Sequence, residues 1–541
     1  MCVYHALLLG SLTFNRSKWK DNTKITSKLK RKVQVIIPMA GKSQRFFDAG
    51  YKKPKGLIEF FDLPMIAHIL KVFKDFDDIL VIISEEDDLK FDLVNVIKRY
   101  HSSVKISKIG QHSFGPSYSV LESLPFISLT KKIIVHYCDF SGVWDPEETV
   151  NLLDECDGVL LSFVGFHPVR VHGTKFAYGR VNHNNQLLEI KEKGSFTHKP
   201  EDEKASSGVY GFSSGELMIQ AIKKQVELNL QINGEFYTSL TLEVLLRDSH
   251  KILTQNMQWF YGWGTPEDLE LYVFYLRLLQ GVAKIQQYNS VINHNGIILA
   301  AGKSSRLRFG GEKPKQSKLI FNAMKLIDFS KNLITTIDNT FLITTEEIYP
   351  ENIWNLPKEN FKVLTHATES QLASVNIGLD LIKDKKIPIT FLASDNIILI
   401  NKISFTEILS STADLIVWTS SNFPLAKVSP NQYSWVKVND DNTIEDAVFK
   451  ESPKDLRNWK LISGNFTFRN HSVVKQLIRN LESKLDDSHR EPILDDLVGS
   501  ALSMGLNVRA FDVAEYVTLG SDLENKVFDY FSGIYEFNHQ I

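Results

Sequence analysis

The sequence states one pattern twice, and that repetition restricts the chain to folds that can be built in duplicate. "VQVIIPMAGKSQRFFDAGYKKPKGLI" (33–58) faces "GIILAAGKSSRLRFGGEKPKQSKLI" (296–320), and further segments pair in the same order. "FGPSYSVLESL" faces "ESQLASVNIGL", "KIIVHYCDF" faces "PITFLASDN", "SSGVYGF" faces "ISGNFTF", and "WFYGWGTPEDLELYVF" faces "EYVTLGSDLENKVF". Asp139 and Asp395, Gly208 and Gly464, Glu235 and Glu491, and Gly264 and Gly520 each stand 256 residues apart. Lys193 and Lys450 are 257 apart and Gly41 and Gly302 are 261 apart, which needs only short insertions. A register kept over more than a hundred residues is a duplication, not coincidence.

Each copy alternates short Val/Ile-rich runs ("VQVIIP", "DILVIIS", "KIIVHY", "GVLLSFV") with amphipathic stretches such as "PMIAHILKVFKDF". Such runs, bounded by polar turns, predict buried parallel strands, and strands alternating with helices predict an α/β fold. The expectation is a mostly parallel sheet flanked by helices, with right-handed crossovers, in each half. The boundaries follow: a mobile N-terminal extension over 1–32, domain 1 over 33–288 ending in a long helix, a linker over 289–294, and domain 2 over 295–541.

At 541 residues the chain exceeds one core. A net charge of −2 lacks the basic excess of a nucleic-acid binder. Cys2, Cys138 and Cys156 form no CxxC pair and read as small buried hydrophobes in a reducing cytoplasm. No run approaches the roughly 18 apolar residues of a membrane helix. "MCVYHALLLGSLTF" has no basic residue before its apolar patch and reads as a poor secretory signal. A cytoplasmic protein without membrane insertion is expected.

In a doubly wound sheet, ligands sit at the carboxyl ends of strands, where Gly41 and Gly302 fall. A glycine there lets backbone N–H groups approach phosphate oxygens. Arg45 and Lys55, and Arg306 and Lys315 in the second copy, add fixed positive charge. The loop is neither G-x-G-x-x-G nor the Walker pattern. A strand-to-helix turn with exposed basic residues is the alternative; the recurrence of Gly, Arg and Pro-Lys in order favours a polyphosphate site.

These residues resemble the signature of sugar-1-phosphate pyrophosphorylases, the nucleotidyltransferases that make nucleotide sugars, and most resemble the branch found with polysaccharide and capsule biosynthesis. "CDF" is similar to that family's metal-binding strand end, "EIKEK" to its Glu-Lys sugar-site motif, and "SSGVYGF" and "GEFY…GTPEDL" to its closing elements. The resemblance implies two tandem Rossmann-like (GT-A-like) domains. It implies that Ala40, Gly41, Lys42, Ser43 and Arg45 wrap a nucleoside triphosphate, that Lys55 reaches its reacting phosphates, and that Gly115 lines the base pocket. Asp139 would bind Mg²⁺, and Glu192 and Lys193, with Gly208 and Glu235, would hold the sugar phosphate. The implied reaction, of the EC 2.7.7 class, is in-line attack of a phosphate oxygen on the α-phosphorus with loss of pyrophosphate and no protein nucleophile.

The chain also departs from the family. Gly262 stands where many members carry a second carboxylate, Ser239 where Asp is common, and Gly56 where a second Pro is usual. Copy two has Phe449 for the Glu of the Glu-Lys pair and Ser370 for the base-pocket Gly. It keeps Gly302, Arg306, Lys315, Asp395, Lys450 and Glu491, and offers Asp495 and Asp496. It reads either as a second transferase or as a worn copy kept for stability or regulation. The competing functions are a GT-A-type glycosyltransferase, for which no D-x-D stands at the strand end, and a non-catalytic nucleotide-sugar-binding regulator. A homo-oligomer or a pseudo-dimer of the halves is open.

Other signals carry less. The histidines form no HExxH or zinc-spaced set, and His112 reads as a loop residue near the base pocket. Asp75, Asp77 and Asp78 precede a strand and read as a solvated turn. Trp259, Tyr261 and Trp263 read as packing for the last helix more than as a sugar platform.

Overall fold

The computed structural model describes residues 32–173, 176–283, 294–302, 308–309, 313–314, 319–320, 324–333, 339–348, 356–484 and 491–540. Residues 1–31, linker residues 289–293, Arg306 and Lys315 lie outside these. The chain divides into two units, whose described parts are residues 32–273 with 537–540 and residues 274–536.

In unit 1 the apolar run Val33–Met39 is buried along its whole length and forms the central strand. It pairs in parallel with Ile79–Ser84, which pairs in parallel with Lys105–Ile109. The chain then returns to the other side of the central strand with Lys132–His136, also parallel. That reversal of direction makes the carboxyl ends of 33–39 and 132–136 a topological switch point, where open α/β sheets form their crevice. Pairing between these two strands covers only Val33↔Lys132 to Ile36↔Val135. Beyond it the chains part, and Pro38, which has no N–H to donate, falls in the unpaired stretch.

The sheet is mixed, not mostly parallel. Lys204–Phe212 runs antiparallel to 132–136, to Gly158–Phe163 and to Tyr178–Val181, and Leu187–Lys191 runs antiparallel to 178–181. Four pairings are parallel and four antiparallel. Between Phe163 and Lys204 the chain builds the hairpin 178–191 rather than a crossover helix, so the returning strand meets its neighbours head to tail. A buried apolar run carries no mark of its direction, which is why "GVLLSFV" and "SSGVYGF" did not reveal it.

Unit 2 has the same strand order and directions. Asn295–Ala300 is central, flanked in parallel by Thr340–Thr345 and Ile389–Ala393; Trp459–Phe468 runs antiparallel to Ile389–Ala393, Leu415–Ser420 and Trp435–Val438. Unusual backbone conformations recur at the sequence register too. Asn185 and Asn442, Lys193 and Lys450, Gly208 and Gly464, and Ser249 and Gly505 all have positive φ. Such angles are uncommon for residues with a Cβ, so their recurrence marks matching local geometry whatever the side chain. Among the described residues, no helix is long and apolar enough to cross a membrane.

The amino ends of the unit 1 strands are tied by one carboxylate. Asp78 accepts from Lys105 Nζ at 2.9 Å, Lys131 Nζ at 2.7 Å and Gln34 Nε2 at 3.2 Å. Asp77 is exposed as a solvated turn requires, but the Asp78 side chain is 7% exposed and sits at a buried junction of four strand ends. Burial pushes its pKa up, but the hydrogen bonds and charges of Lys105 and Lys131 outweigh that and hold it below the ordinary value. Trp263 is 1% exposed and packs edge-on against Phe60 and Tyr272, so the aromatic cluster is core.

Removing Asp78 takes a partner from Lys105 and Lys131, both of which reach water, and one of two acceptors from the Gln34 amide. Asp78→Ala is expected to destabilise unit 1 by about 1–2 kcal/mol in denaturant unfolding at neutral pH. Because its folded pKa is depressed, the wild-type advantage is present above about pH 4 and is lost as pH falls through the folded value, so the two proteins converge in acid.

Candidate active site

The crevice at the switch point is built first by the loop after the central strand. Ala40 is buried, whereas a Cβ placed on Gly41 would meet no atom within 4 Å. The protein itself therefore does not demand glycine at 41; the space beside it is open to a ligand. Ser43 takes the left-handed conformation (φ 53°), starts the short helix Gln44–Asp48 and accepts the Lys55 N–H on its Oγ at 3.0 Å. This ties the two basic segments of the motif together. Lys42 and Arg45 are exposed.

His112 fastens this loop to the next. Gly41 and His112 form a parallel bridge, Phe114 N–H donates to His112 Nδ1 at 3.1 Å, and Nε2 lies 3.0 Å from Ser119 Oγ. With Nδ1 accepting, the proton resides on Nε2. Burial, and in smaller part Lys42, lower its pKa. Gly115 has a reason of its own: φ is +89°, and a Cβ would stand 2.8 Å from the Phe236 nitrogen and 3.0 Å from its oxygen. Its neighbours bond that backbone, Phe236 N–H to Phe114 O at 2.8 Å and Ser117 N–H to Phe236 O at 3.0 Å.

Across the crevice, Asp139 follows the strand 132–136. Lys55 Nζ donates to its Oδ2 at 2.7 Å, with the side chains 24% and 26% exposed. Burial pushes the Asp139 carboxyl up, and the charge and hydrogen bond of Lys55 more than offset it, so the group stays ionised at neutral pH. The same pairing raises Lys55 against burial, while Arg45 is near enough to oppose it. Trp263 N–H donates to Asp139 O at 2.8 Å, and a Cβ on Gly264 would lie 3.7 Å from Asp139 Oδ2. Gly264 thus leaves room beside the carboxylate. A Cβ on Gly262 would instead meet Val169 Cγ1 at 2.6 Å, on another side of the ribbon. Gly208 (φ +95°) brings its strand against this turn, its carbonyl accepting Tyr137 N–H at 3.1 Å.

The third wall is polar and hydroxyl-rich. Ser239 Oγ donates to Glu192 Oε2 at 2.5 Å, and burial raises the Glu192 pKa. Lys193 Nζ donates to Tyr237 Oη at 2.5 Å. Tyr137 Oη accepts Thr238 N–H at 3.1 Å, and Tyr210 Oη accepts from Ser206 Oγ at 2.9 Å. Arg45 and Glu235 both act on Tyr237. Arg45, Lys55, Asp139, Glu192, Lys193 and Glu235 therefore share one electrostatic neighbourhood. The tyrosines escaped the sequence reading because they come from three distant segments; adjacency to "CDF", "SSGVYGF" and "GEFY" was the available signal.

Unit 2 repeats the frame with other side chains. Gly302 is likewise exposed with open space around it, and Leu519 N–H donates to Asp395 O at 2.9 Å, as Trp263 does to Asp139. Ser370 caps the helix Gln371–Leu381 through Ala373 N–H. Phe449 packs against Gly499 and the apolar core, Lys450 Nζ donates to Gln432 O at 3.0 Å, and Asp496 accepts Ile493 N–H at 2.9 Å. Asp495 is buried at the start of the helix Asp496–Ser503, and Glu491 is exposed.

The family model described as Nucleotidyl transferase matches residues 295–515. A curated relative, the bifunctional protein GlmU of Thermosipho melanesiensis, is 23% identical over 230 residues, 41% of this chain and 46% of the relative. The chain thus spans about half the length of that relative. Among solved structures, a nucleoside-diphosphate-sugar pyrophosphorylase from Vibrio cholerae RC9 aligns over 44% of this chain and 98% of its own, at 19% identity and a TM-score of 0.37. The inositol-1-phosphate CTP transferase from T. maritima aligns over 44% and 91%, at 15% identity and a TM-score of 0.34.

The two glycines of unit 1 are separable by experiment. Gly115→Ala forces a Cβ into backbone at positive φ and is expected to cost about 2 kcal/mol or more in denaturant unfolding. Gly41→Ala enters open space and is expected to leave the unfolding midpoint where it was.

Proposed function

We propose that unit 1 is a sugar-phosphate nucleotidyltransferase, transferring a nucleoside monophosphate from a triphosphate to a sugar phosphate with release of pyrophosphate, in nucleotide-sugar synthesis for polysaccharide. The observation that carries this reading is the Lys55–Asp139 pair at the parting of the strands, between the open Gly41 loop and the Glu192–Lys193 wall. In this reading the chain is a tandem duplication, with domains over 33–288 and 295–541, and the common strand order and recurrent positive-φ positions support it.

The chemistry follows from charge. The triphosphate lies along the amides of Ala40–Ser43 with Arg45 and Lys55 against its phosphates, and the base sits by Gly115. Glu192 accepts from sugar hydroxyls and Lys193 meets the acceptor phosphate. An acceptor oxygen forms a bond to the α-phosphorus as the bond to the pyrophosphate oxygen breaks. The protein's work is to hold two mutually repelling anions in line and to neutralise the charge on the transferred group. Among the described residues, no group of three or more His, Cys, Asp or Glu could hold a metal by itself. Asp139, with the space left by Gly264, fits Mg²⁺ bound mainly through phosphate and water. When bound, that ion would supply further charge neutralisation.

Unit 2 supports a different reading, a copy that does not transfer to a hydroxylated acceptor. At the register of Tyr137, Tyr210, Tyr237, Thr238 and Glu192 it has Ala393, Phe466, Ile493, Leu494 and Phe449. The hydroxyls of that wall are thus replaced by apolar side chains, although Lys450, Glu491 and Asp495 remain at its register.

Pyrophosphate release from a panel of the common triphosphates and sugar phosphates with Mg²⁺ tests the proposal. Asp139→Asn in the full chain is expected to lower the best rate by about 100-fold or more, and an unchanged rate would remove Asp139 from the site. Gly41→Ala is expected to raise KM for the triphosphate about tenfold, because its methyl obstructs backbone contact with phosphate.

A further inference from the structure

Lys193 stands just past the strand Leu187–Lys191 with φ +54°, a conformation that costs a lysine energy unless its surroundings fix it. Its ammonium donates to Tyr237 Oη at 2.5 Å and lies 4.5 Å from the centroid of the same ring. Tyr237 is itself held through its backbone. Its carbonyl accepts Gln225 Nε2 at 3.1 Å. Glu235 closes a tight turn by exchanging backbone hydrogen bonds with Ile232, at 3.0 and 3.1 Å.

Unit 2 provides the internal control. Lys450 has the same backbone twist (φ +56°), but Ile493 stands where unit 1 has Tyr237. Without a phenol to meet, the Lys450 ammonium goes to the Gln432 carbonyl at 3.0 Å. The backbone alone therefore does not aim the lysine. The tyrosine does.

We propose that Tyr237 is a positioning residue: fixed through its own backbone, it presents the Lys193 ammonium to the phosphate of the acceptor. The inference rests on the function proposed above. An ammonium has three N–H donors; the phenol takes one and leaves the others for phosphate oxygens. A tyrosine suits this task better than a carboxylate would, because it holds the cation without neutralising it.

The test uses full-length protein and the donor–acceptor pair that wild type turns over fastest. Tyr237→Phe keeps the ring and removes the hydroxyl. It is expected to raise KM for the acceptor about tenfold, with kcat, KM for the triphosphate and the unfolding midpoint within about twofold or unshifted. Tyr237→Phe combined with Lys193→Ala is expected to be no worse than Lys193→Ala alone, since the tyrosine acts through the lysine. An unchanged acceptor KM in Tyr237→Phe, or independent additive losses in the pair, would overturn the proposal while leaving the transferase reading intact. A wild type that releases no pyrophosphate with any pair would overturn that reading and this inference with it.

Discussion

Everything at the unit 1 crevice depends on two strands that start together and then separate. Val33–Met39 and Lys132–His136 share four register pairs, and past Ile36 the chains part. Their amino ends are locked by the buried Asp78 with Lys105 and Lys131, so the opening is confined to the other end. There Lys55 crosses to Asp139 and closes the gap with charge instead of backbone hydrogen bonds. A dry ion pair would resist any ligand, since separating it would strand two buried charges. This one is about a quarter exposed on each side, so a ligand's phosphates can compete for the ammonium.

The two units show which part of such a site is scaffold and which is chemistry. The scaffold persists: the strand order, the Gly208 and Gly464 twists, and the amide donated to the carbonyls of Asp139 and Asp395. The chemistry does not. Tyr137, Tyr210 and Tyr237 give way to Ala393, Phe466 and Ile493 at the same register. The family match falls on residues 295–515, the half in which these tyrosines are replaced. Sequence similarity to a family follows the buried strands and turns, and these can survive after the groups that touch a substrate have changed.

How much of this could be read beforehand follows from what each feature requires of the sequence. The repeated order of segments was legible because Asp139, Gly208, Glu235 and Gly264 keep one spacing to their counterparts. The strands were legible as apolar runs, but not the direction of Lys204–Phe212, since alternation of burial is the same read either way. Asp78 was misread because a carboxylate before a strand is usually solvated; its burial depends on Lys105 and Lys131, far apart in the chain but brought together by the sheet. Gly115 was noticed as a base-pocket residue, yet the structural reason for glycine there, the Phe236 backbone, is 121 residues away. Contacts of that kind leave no local signature.

A site proposed to hold two phosphate esters raises a further question: why so many carboxylates are present. Lys42, Arg45, Lys55 and Lys193 suit the ligand, whereas Asp139, Glu192 and Glu235 oppose it. The geometry gives two of the acidic groups separate tasks. Asp139 keeps Lys55 ordered in the free protein, as the neutral Tyr237 does for Lys193. Left alone, long flexible cations would sample many rotamers and lose entropy on binding; held in advance, they lose little. Glu192 is different, for its partner is the neutral Ser239, and burial raises its pKa. A carboxylate set among hydroxyls is an acceptor in search of donors, which a sugar would supply in the proposed reaction.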